Sequence, residues 1–321
     1  MLKFAATFAL GIGLSGAALA EVWDMPTPYG DSTFHTANIR QFAADVAQAT
    51  GGEFEIEVHS AGSLFPHGEI KNAVRSRQVN IGEFFLSTLS NEDLAFGMDS
   101  QPFLATSYDE AARLWDAQKP VIEELLAEQG LMPLFTVAWP AQGLYTNGEI
   151  PNVDALAGLR FRAYNAALEE FATLAKAAPV QVEAPDIPQA FATGQVQAMI
   201  TSPSTGANST AWDFVTHYTA IDAWVPKNIV VVNKRAFDGL DPKFQAALLA
   251  AAETAQTRGW EMSKAETAEK IKVMADNGMV IVDPSPELVE GLQAIGAQML
   301  ENWKANASDK ALSVLEAYQA Q

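Results

Sequence analysis

The basic residues are the most informative candidates for chemistry because they are scarce. The chain of 321 residues has 20 Lys and Arg against 39 Asp and Glu. Two arginines alternate with apolar residues in the segment LRFRAY, so Arg160, Arg162 and Tyr164 would share one face of an extended strand. An arginine at the end of a strand that faces a cleft can hold a carboxylate by two parallel hydrogen bonds. The pattern predicts either a carboxylate site or a solvated strand edge.

A serine nucleophile is the other chemistry that the residue types suggest. Gly30-Asp31-Ser32 follows a predicted strand and is similar to the nucleophile block of GDS-type esterases. That chemistry needs a base near the serine, usually from a late Asp-x-x-His. The last histidine is His217, and Phe214 stands where the aspartate would be. A secreted serine hydrolase using Ser32 is therefore the alternative function, and a turn that caps the next helix is the structural alternative.

Composition excludes most other classes of function. The formal net charge of −19 argues against nucleic acid as a partner and against docking on an anionic membrane. The absence of cysteine excludes thiolate catalysis, disulfides and Cys-type zinc sites. The four histidines are scattered, with no pair at metal-ligand spacing. We therefore expect no cofactor and no metal ion.

The first twenty residues have the pattern of a secretory signal. Lys3 is followed by an apolar run from Phe4 to Ala18, and Ala18-Leu19-Ala20 matches an A-x-A cleavage site. The sequence predicts a signal peptide over residues 1–20, cleaved after Ala20, and a mature protein in the periplasm. A GxGxxG match at Gly11–Gly16 lies inside this apolar run, so it carries no weight as a nucleotide-binding motif.

The mature chain alternates strand-like and helix-like patterns from end to end, which favours an α/β fold. The segment from Pro242 to about Asn277 is nearly all helical in pattern. A helix of that length would span about 50 Å, longer than one small domain. We therefore expect it to connect two domains. A last helical region is predicted from Pro286 to Ala320. Earlier in the chain, the patterns predict a helix from Thr33 to Thr50 and a strand at Val180–Glu183.

Five segments in order resemble the solute-binding proteins of TRAP transporters of the DctP type. One of them, LAGLRFRAYN at Leu156–Asn165, is similar to the LKGLKIRV segment of that family. The others are His59–Leu64, Glu69–Gly82, Ile187–Thr201 and Val230–Leu240. Together they follow the family's spacing behind a signal peptide.

This resemblance implies an α/β, two-lobed periplasmic binding protein fold with a long helix linking both lobes. It implies a receptor without enzymatic activity, which captures a small organic acid between the lobes and delivers it to the TRAP transporter membrane subunits. Lobe I would contain residues 21–139 plus 228–267, and lobe II residues 140–227 plus 268–321. We expect a monomer. A ligand-binding domain of a sensor pathway would share the same sequence features.

The resemblance also implies the roles of individual residues. In this family an arginine on a strand forms the salt bridge to the ligand carboxylate, and it corresponds to Arg162, whereas Arg160 falls on a solvent-facing position. Where the family often has an amide that helps to fix the carboxylate, this chain has Thr201 and Ser202, so we expect a hydroxyl there.

Segments that reach the cleft would complete the pocket. The predicted ligand-binding residues beyond Arg162, Thr201 and Ser202 are Tyr29, Glu69, Phe84, Trp139, Tyr164, Asn165, Trp212 and Asn228. Seven tryptophans favour an aromatic or larger apolar acid over a small one.

Overall fold

A computed structural model describes residues 20–321. The signal peptide predicted over residues 1–20 lies outside these residues except for Ala20, and so does the GxGxxG match. The strands are β1 Glu21–Pro26, β2 Phe54–His59, β3 Ile81–Phe85, β4 Leu131–Ala138, β5 Gly143–Thr146, β6 Arg160–Ala163, β7 Ala178–Gln181, β8 Ala198–Thr201, β9 His217–Thr219, β10 Lys227–Asn233 and β11 Val280–Val282. The helices are α1 Phe34–Ala49, α2 Ile70–Arg75, α3 Tyr108–Ala127, α4 Ala166–Leu174, α5 Ile187–Ala192, α6 Pro203–Asn208, α7 Lys234–Asp238, α8 Pro242–Asp276, α9 Pro286–Asn306 and α10 Asp309–Gln319.

The strands fall into two groups. Lobe I contains a parallel β1–β2 pair and a three-stranded antiparallel sheet in the order β3-β10-β4. Lobe II contains one mixed, six-stranded sheet in the order β11-β9-β5-β8-β6-β7. Helices cover the sheets of both groups, which confirms the predicted α/β class. Among residues 20–321, no helix combines the length and hydrophobicity needed to span a bilayer.

The chain crosses between the two lobes at adjacent places. It leaves lobe I after β4 and returns at β10, and the two crossing segments are hydrogen bonded to each other. The backbone N–H of Trp139 donates to the carbonyl of Pro226 at 2.8 Å, and the N–H of Ala223 donates to the carbonyl of Gln142 at 2.9 Å. Because the crossings are paired, relative motion of the lobes is restricted to a common hinge region.

A buried ion pair anchors the returning strand beside this hinge. Lys227 and Asp99 both have fully buried side chains, and Nζ lies 3.3 Å from Oδ2. The same Oδ2 accepts the backbone N–H of Lys227 at 2.9 Å. Burial raises the pKa of Asp99 and lowers that of Lys227, against their mutual attraction. Such a pair adds little net stability but fixes the position of its partners, because a lone buried charge is costly.

Helix α8 is the predicted long helix. Asp241 caps its start by accepting the N–H of Lys243 at 2.9 Å, and Pro242 occupies the first turn, where no intrahelical N–H is needed. Ala251 and Ala255 pack into the core of lobe I. Met274, near the other end, packs into a core of lobe II. The helix therefore links both lobes, as the sequence predicts.

The C-terminal helix α10 packs against α3 of lobe I. Val314 and Leu315 share a buried cluster with Leu114 and Ile122 of α3, and Trp303 near the end of α9 joins it. The division of the chain at the predicted residue numbers stays a prediction. We propose one change to it, in which residues from about 303 onward belong to lobe I rather than lobe II.

The close approach of α8 to β4 provides a test of this packing. A Cβ at Gly259 would lie 2.5 Å from Cγ2 of Val137 and 2.7 Å from Nδ2 of Asn38. Alanine favours a helix over glycine by about 1 kcal/mol, but overpacking costs about 1–3 kcal/mol. We expect Gly259→Ala to destabilise the protein by about 1 kcal/mol in urea unfolding. The control is Thr254→Ala, on the exposed face of the same helix, which should change stability by less than about 0.5 kcal/mol. If Gly259→Ala stabilised the protein, the close packing of α8 against β4 would be contradicted.

Candidate functional site

A cleft lies between the two lobes. Lobe I contributes residues that follow β1, precede α2 and end β3 and β4. Lobe II contributes residues at or just after the carboxyl ends of β6, β7 and β8, which is where open α/β sheets usually bind ligands. The lining residues are Tyr29, His67, Phe85, Trp139, Gln142, Arg162, Tyr164, Glu183, Ala184, Thr201, Ser202 and Thr205.

Arg162 is placed in the cleft by the alternation of β6. Phe161 and Ala163 point into a core of lobe II, so Arg162 lies on the opposite face of the strand. Its Nε donates to the backbone carbonyl of Val182 at 2.9 Å. The guanidinium carbon lies 5.0 Å from the ring centroid of Tyr164, within cation–π distance. Strand geometry, one hydrogen bond and one aromatic ring therefore fix its orientation.

The charge of Arg162 is not compensated by a direct ion pair with any of the described residues 20–321. The residue is 3% exposed, and its Nη1 is buried without a hydrogen-bond partner among residues 20–321. Burial lowers the pKa of the guanidinium to about 10, while Tyr164 and Glu183 oppose this shift. The group therefore stays charged at neutral pH. A buried cation with unused donors favours an anionic ligand, since an unpaired buried charge is costly.

A hydrogen bond between His67 and Glu183 joins the two lobes across the cleft. Nδ1 of His67 lies 3.2 Å from Oε2 of Glu183. Nε2 of His67 lies 3.1 Å from the backbone N of Phe85, which can only donate, so this nitrogen is the acceptor. The proton of the neutral ring is therefore on Nδ1, and His67 donates to Glu183. This hydrogen bond lowers the pKa of Glu183, so the carboxylate is ionised at neutral pH.

The aromatic wall of lobe I is held by Asn228. Tyr29 and Trp139 meet at 5.0 Å between ring centroids with an interplanar angle of 66°. The Tyr29 hydroxyl and the Trp139 indole N–H both donate to Oδ1 of Asn228, at 3.2 and 2.9 Å. Nδ2 of Asn228 donates to Oε1 of the buried Glu83 at 2.9 Å. Because the polar ends of both rings are bonded to Asn228, the wall presents mainly apolar ring surface to the cleft.

The polar group of Tyr164 is likewise engaged within the protein. Its hydroxyl donates to Oε1 of Gln142 at 3.2 Å and accepts from the indole N–H of Trp224 at 3.3 Å. Nε2 of Gln142 donates to the carbonyl of Pro140 at 2.7 Å. These bonds tie the end of β6 to both crossing segments. They also hold the Tyr164 ring over Arg162.

The two hydroxyl candidates have different surroundings. Ser202 is the N-cap of α6: its Oγ accepts the N–H of Thr205 at 3.0 Å and lies 3.1 Å from Oγ1 of that residue. Thr201, 3% exposed at the end of β8, lines the cleft, and its hydroxyl takes part in none of the side-chain hydrogen bonds within residues 20–321. Of the two hydroxyls, only that of Thr201 is therefore available to a ligand.

Five predicted site residues lie outside the cleft lining. Each has another structural role or position. Glu69 is exposed, Phe84 is packed in a core of lobe I, and Trp212 is packed against a core of lobe II. Asn165 caps α4 and donates to Ser87 at 2.9 Å, and Asn228 lies behind the aromatic wall.

Phe84 and its neighbour Phe85 show why these placements differ. Successive side chains in a strand point to opposite faces. Phe84 therefore points into the core of lobe I, and Phe85 lines the cleft. The sequence identified the strand end correctly, and only packing distinguishes the two phenylalanines.

The lining residues that the sequence prediction missed are His67, Gln142, Glu183, Ala184 and Thr205. Glu183 had a usable signal, because it ends the predicted strand at Val180–Glu183 beside the strand that carries Arg162. His67 had none: it lies in a short turn before α2, and its partner is 116 residues away in the chain.

The family comparison agrees with this geometry. The model of the bacterial extracellular solute-binding protein family 7, DctP, matches residues 27–306. The chain belongs to this family. A solute-binding protein of Albidiferax ferrireducens is 24% identical over 312 residues, covering 94% of this chain and 88% of that protein. The fold resemblance predicted from the sequence is thereby confirmed.

Three solved structures, at 38–41% identity, are more similar in sequence. An extracytoplasmic solute receptor of Bordetella pertussis that binds pyroglutamic acid is 41% identical, with a TM-score of 0.92 over 94% of this chain and 100% of that chain. A TRAP solute binding protein from a marine metagenome, specific for pyroglutamate, is 38% identical, with a TM-score of 0.91 and the same coverage. The protein is thus a solute-binding receptor of the TRAP type and not an enzyme.

The hydrolase alternative has no support in the structure or in these relatives. Ser32 is exposed, and none of the histidines bonds its hydroxyl within residues 20–321. The adjacent Asp31 pairs instead with Arg40, at 2.6 Å between Oδ1 and Nη2. The Gly-Asp-Ser segment is therefore a turn before α1 rather than a nucleophile.

The hydrogen bonds that Asn228 makes with Tyr29, Trp139 and Glu83 should be important for stability. Asn228→Leu keeps the side-chain volume similar but leaves Tyr29, Trp139 and Glu83 without a shared partner. Unsatisfied buried groups cost about 1–3 kcal/mol each, so we expect a loss of about 3 kcal/mol in urea unfolding. The exposed Asn72→Leu serves as the control and should change stability by less than about 0.5 kcal/mol. Equal stability of the two variants would show that the hydrogen bonds of Asn228 do not stabilise the fold.

Proposed function

We propose that this protein is the periplasmic receptor of a TRAP transporter and binds pyroglutamate between its lobes. Arg162 would pair with the carboxylate, and the hydroxyl of Thr201 would add a hydrogen bond. The aromatic wall of Tyr29 and Trp139 would pack against the ring. The closed, ligand-bound form would then deliver the acid to the membrane subunits of the transporter.

The observation that carries this proposal is the buried, unpaired guanidinium of Arg162. Two unit charges 4 Å apart attract by about 4 kcal/mol at an effective dielectric constant of 20. Part of that gain offsets the desolvation of the ligand carboxylate. The guanidinium of Arg162 is already desolvated in the folded protein. Binding of a carboxylate would therefore bring the charge attraction without a further desolvation cost for this cation. Because exposed charges are screened over about 8–10 Å, the acidic surface does not cancel this local attraction.

The identity of the acid is inferred from the similar solved structures. Two Bordetella pertussis receptors and one marine metagenome receptor, at 38–41% identity, are described with pyroglutamate. These relatives favour a small lactam acid, whereas the tryptophan content favours a larger aromatic one. The structure explains why that content is a poor guide: Trp23 and Trp303 are packed in cores of lobe I, away from the cleft.

Location, partners and assembly follow from the same proposal. An extracytoplasmic receptor with a predicted signal peptide would act in the periplasm as a monomer. Its partners would be the small and large membrane subunits of the transporter. A sensor role would use the same cleft, and transport assays with the membrane subunits would separate the two.

Substitution of Arg162 tests the proposed binding mode. We expect Arg162→Ala to weaken pyroglutamate binding by at least about 30-fold in isothermal titration calorimetry, because truncating one partner of a buried charge pair costs about 2–5 kcal/mol. Arg162→Lys should recover little, since lysine lacks the planar pair of donors.

Arg160 on the same strand supplies the matched control. It is exposed, and its Nε donates to the carbonyl of Gly194 at 2.6 Å. Arg160→Ala should keep the wild-type affinity within a few-fold. Retained affinity in Arg162→Ala would overturn the proposed binding mode.

A further inference from the structure

We propose that Glu183 is a specificity-determining residue that accepts a hydrogen bond from a ring N–H next to the ligand carboxylate. The inference rests on the proposed function and adds the chemistry by which one class of cyclic acid is selected. It starts from the position of a second charged group in the same cleft as Arg162.

Glu183 places a negative charge in a cleft that is proposed to bind a negatively charged ligand, and this needs a chemical explanation. Glu183 lines the same cleft as Arg162, and its side chain is 44% exposed. The two residues form no ion pair, so the charge of Arg162 remains available. Glu183 would repel a simple carboxylate ligand, and its presence is favourable only if the ligand also brings a hydrogen-bond donor.

The geometry of His67 leaves one oxygen of Glu183 for such a donor. His67 donates to Oε2 from Nδ1, and its other nitrogen is held by the backbone N–H of Phe85. No donor among residues 20–321 bonds Oε1. His67 is therefore a positioning residue: it orients Glu183 and keeps it ionised through a hydrogen bond across the cleft.

Glu183 is the one carboxylate among the lining residues, and several of the other polar groups are engaged within the protein. The hydroxyl of Tyr29 and the indole N–H of Trp139 both donate to Oδ1 of Asn228. Oε1 of Gln142 accepts from Tyr164. The cleft thus combines one unpaired cation, one ionised acceptor and apolar ring surface.

Pyroglutamate has the matching groups: a carboxylate, and a lactam N–H on the carbon that bears it. The corresponding γ-lactone carboxylate has the same ring and the same charge, but oxygen replaces the N–H. In the lactone complex, Oε1 of Glu183 would face a ring oxygen with no donor between them. Sites that bond a ligand N–H discriminate strongly against analogues that lack it, because a polar group is then left unpaired.

The test compares pyroglutamate with its γ-lactone analogue on wild-type protein and on Glu183→Gln by isothermal titration calorimetry. We expect the wild type to prefer the lactam by about 10- to 100-fold. In Glu183→Gln, the amide oxygen can still accept from His67, and the amide N–H₂ then faces the ligand. The preference should therefore fall to a few-fold or reverse. The affinities for the lactam and the lactone are compared within each variant. An effect of the substitution on lobe closure that is the same for both ligands therefore cancels in their ratio.

Asp186→Asn is the matched control, because it removes one exposed carboxylate three residues away without changing the cleft lining. It should keep the wild-type preference. An unchanged preference in Glu183→Gln would overturn this inference and leave the Arg162 binding mode intact. Failure of the wild type to bind pyroglutamate would overturn the proposed ligand, and the role of Glu183 with it.

Discussion

The cleft depends on a guanidinium that the fold buries without a direct ion pair to any of residues 20–321. Arg162 is held by the carbonyl of Val182 and by the ring of Tyr164, and these contacts orient the group without neutralising it. A site of this kind is preorganised, since the cost of ordering and desolvating the cation is met on folding rather than on binding. The side-chain oxygens of Gln142 and Asn228 accept hydrogen bonds from Tyr164 and Trp139 rather than from Arg162.

Two structural devices allow this site to lie between separate lobes. The paired crossing segments and α8 connect the lobes along one side, and the bonds from His67 to Glu183 and from Asn165 to Ser87 join them across the cleft. The first device is permanent because it is built from the backbone and from core packing. The second consists of single hydrogen bonds, each contributing about 1 kcal/mol, so it can form and break as the lobes close and open.

Sequence patterns were sufficient for long or strongly capped elements. Helix α1 was predicted from Thr33 to Thr50 and forms from Phe34 to Ala49, and α8 agrees within one residue at its end. The short strands β5, β9 and β11 were missed. Their sequences, GLYT, HYT and VIV, are too short or too uniform to show the alternation that RFRA shows in β6. They form here because neighbouring strands supply their hydrogen bonds.

The sequence by itself determined that Arg162 would lie opposite Phe161 and Ala163, because strand alternation is a local property of the backbone. It also determined the start of α8, through the Asp241-Pro242 cap. Only the tertiary structure decided that Phe85 rather than Phe84 lines the cleft, and that Glu183 meets His67. Those choices depend on how two lobes pack against each other, and no local spacing in the chain encodes a contact between residues 116 positions apart.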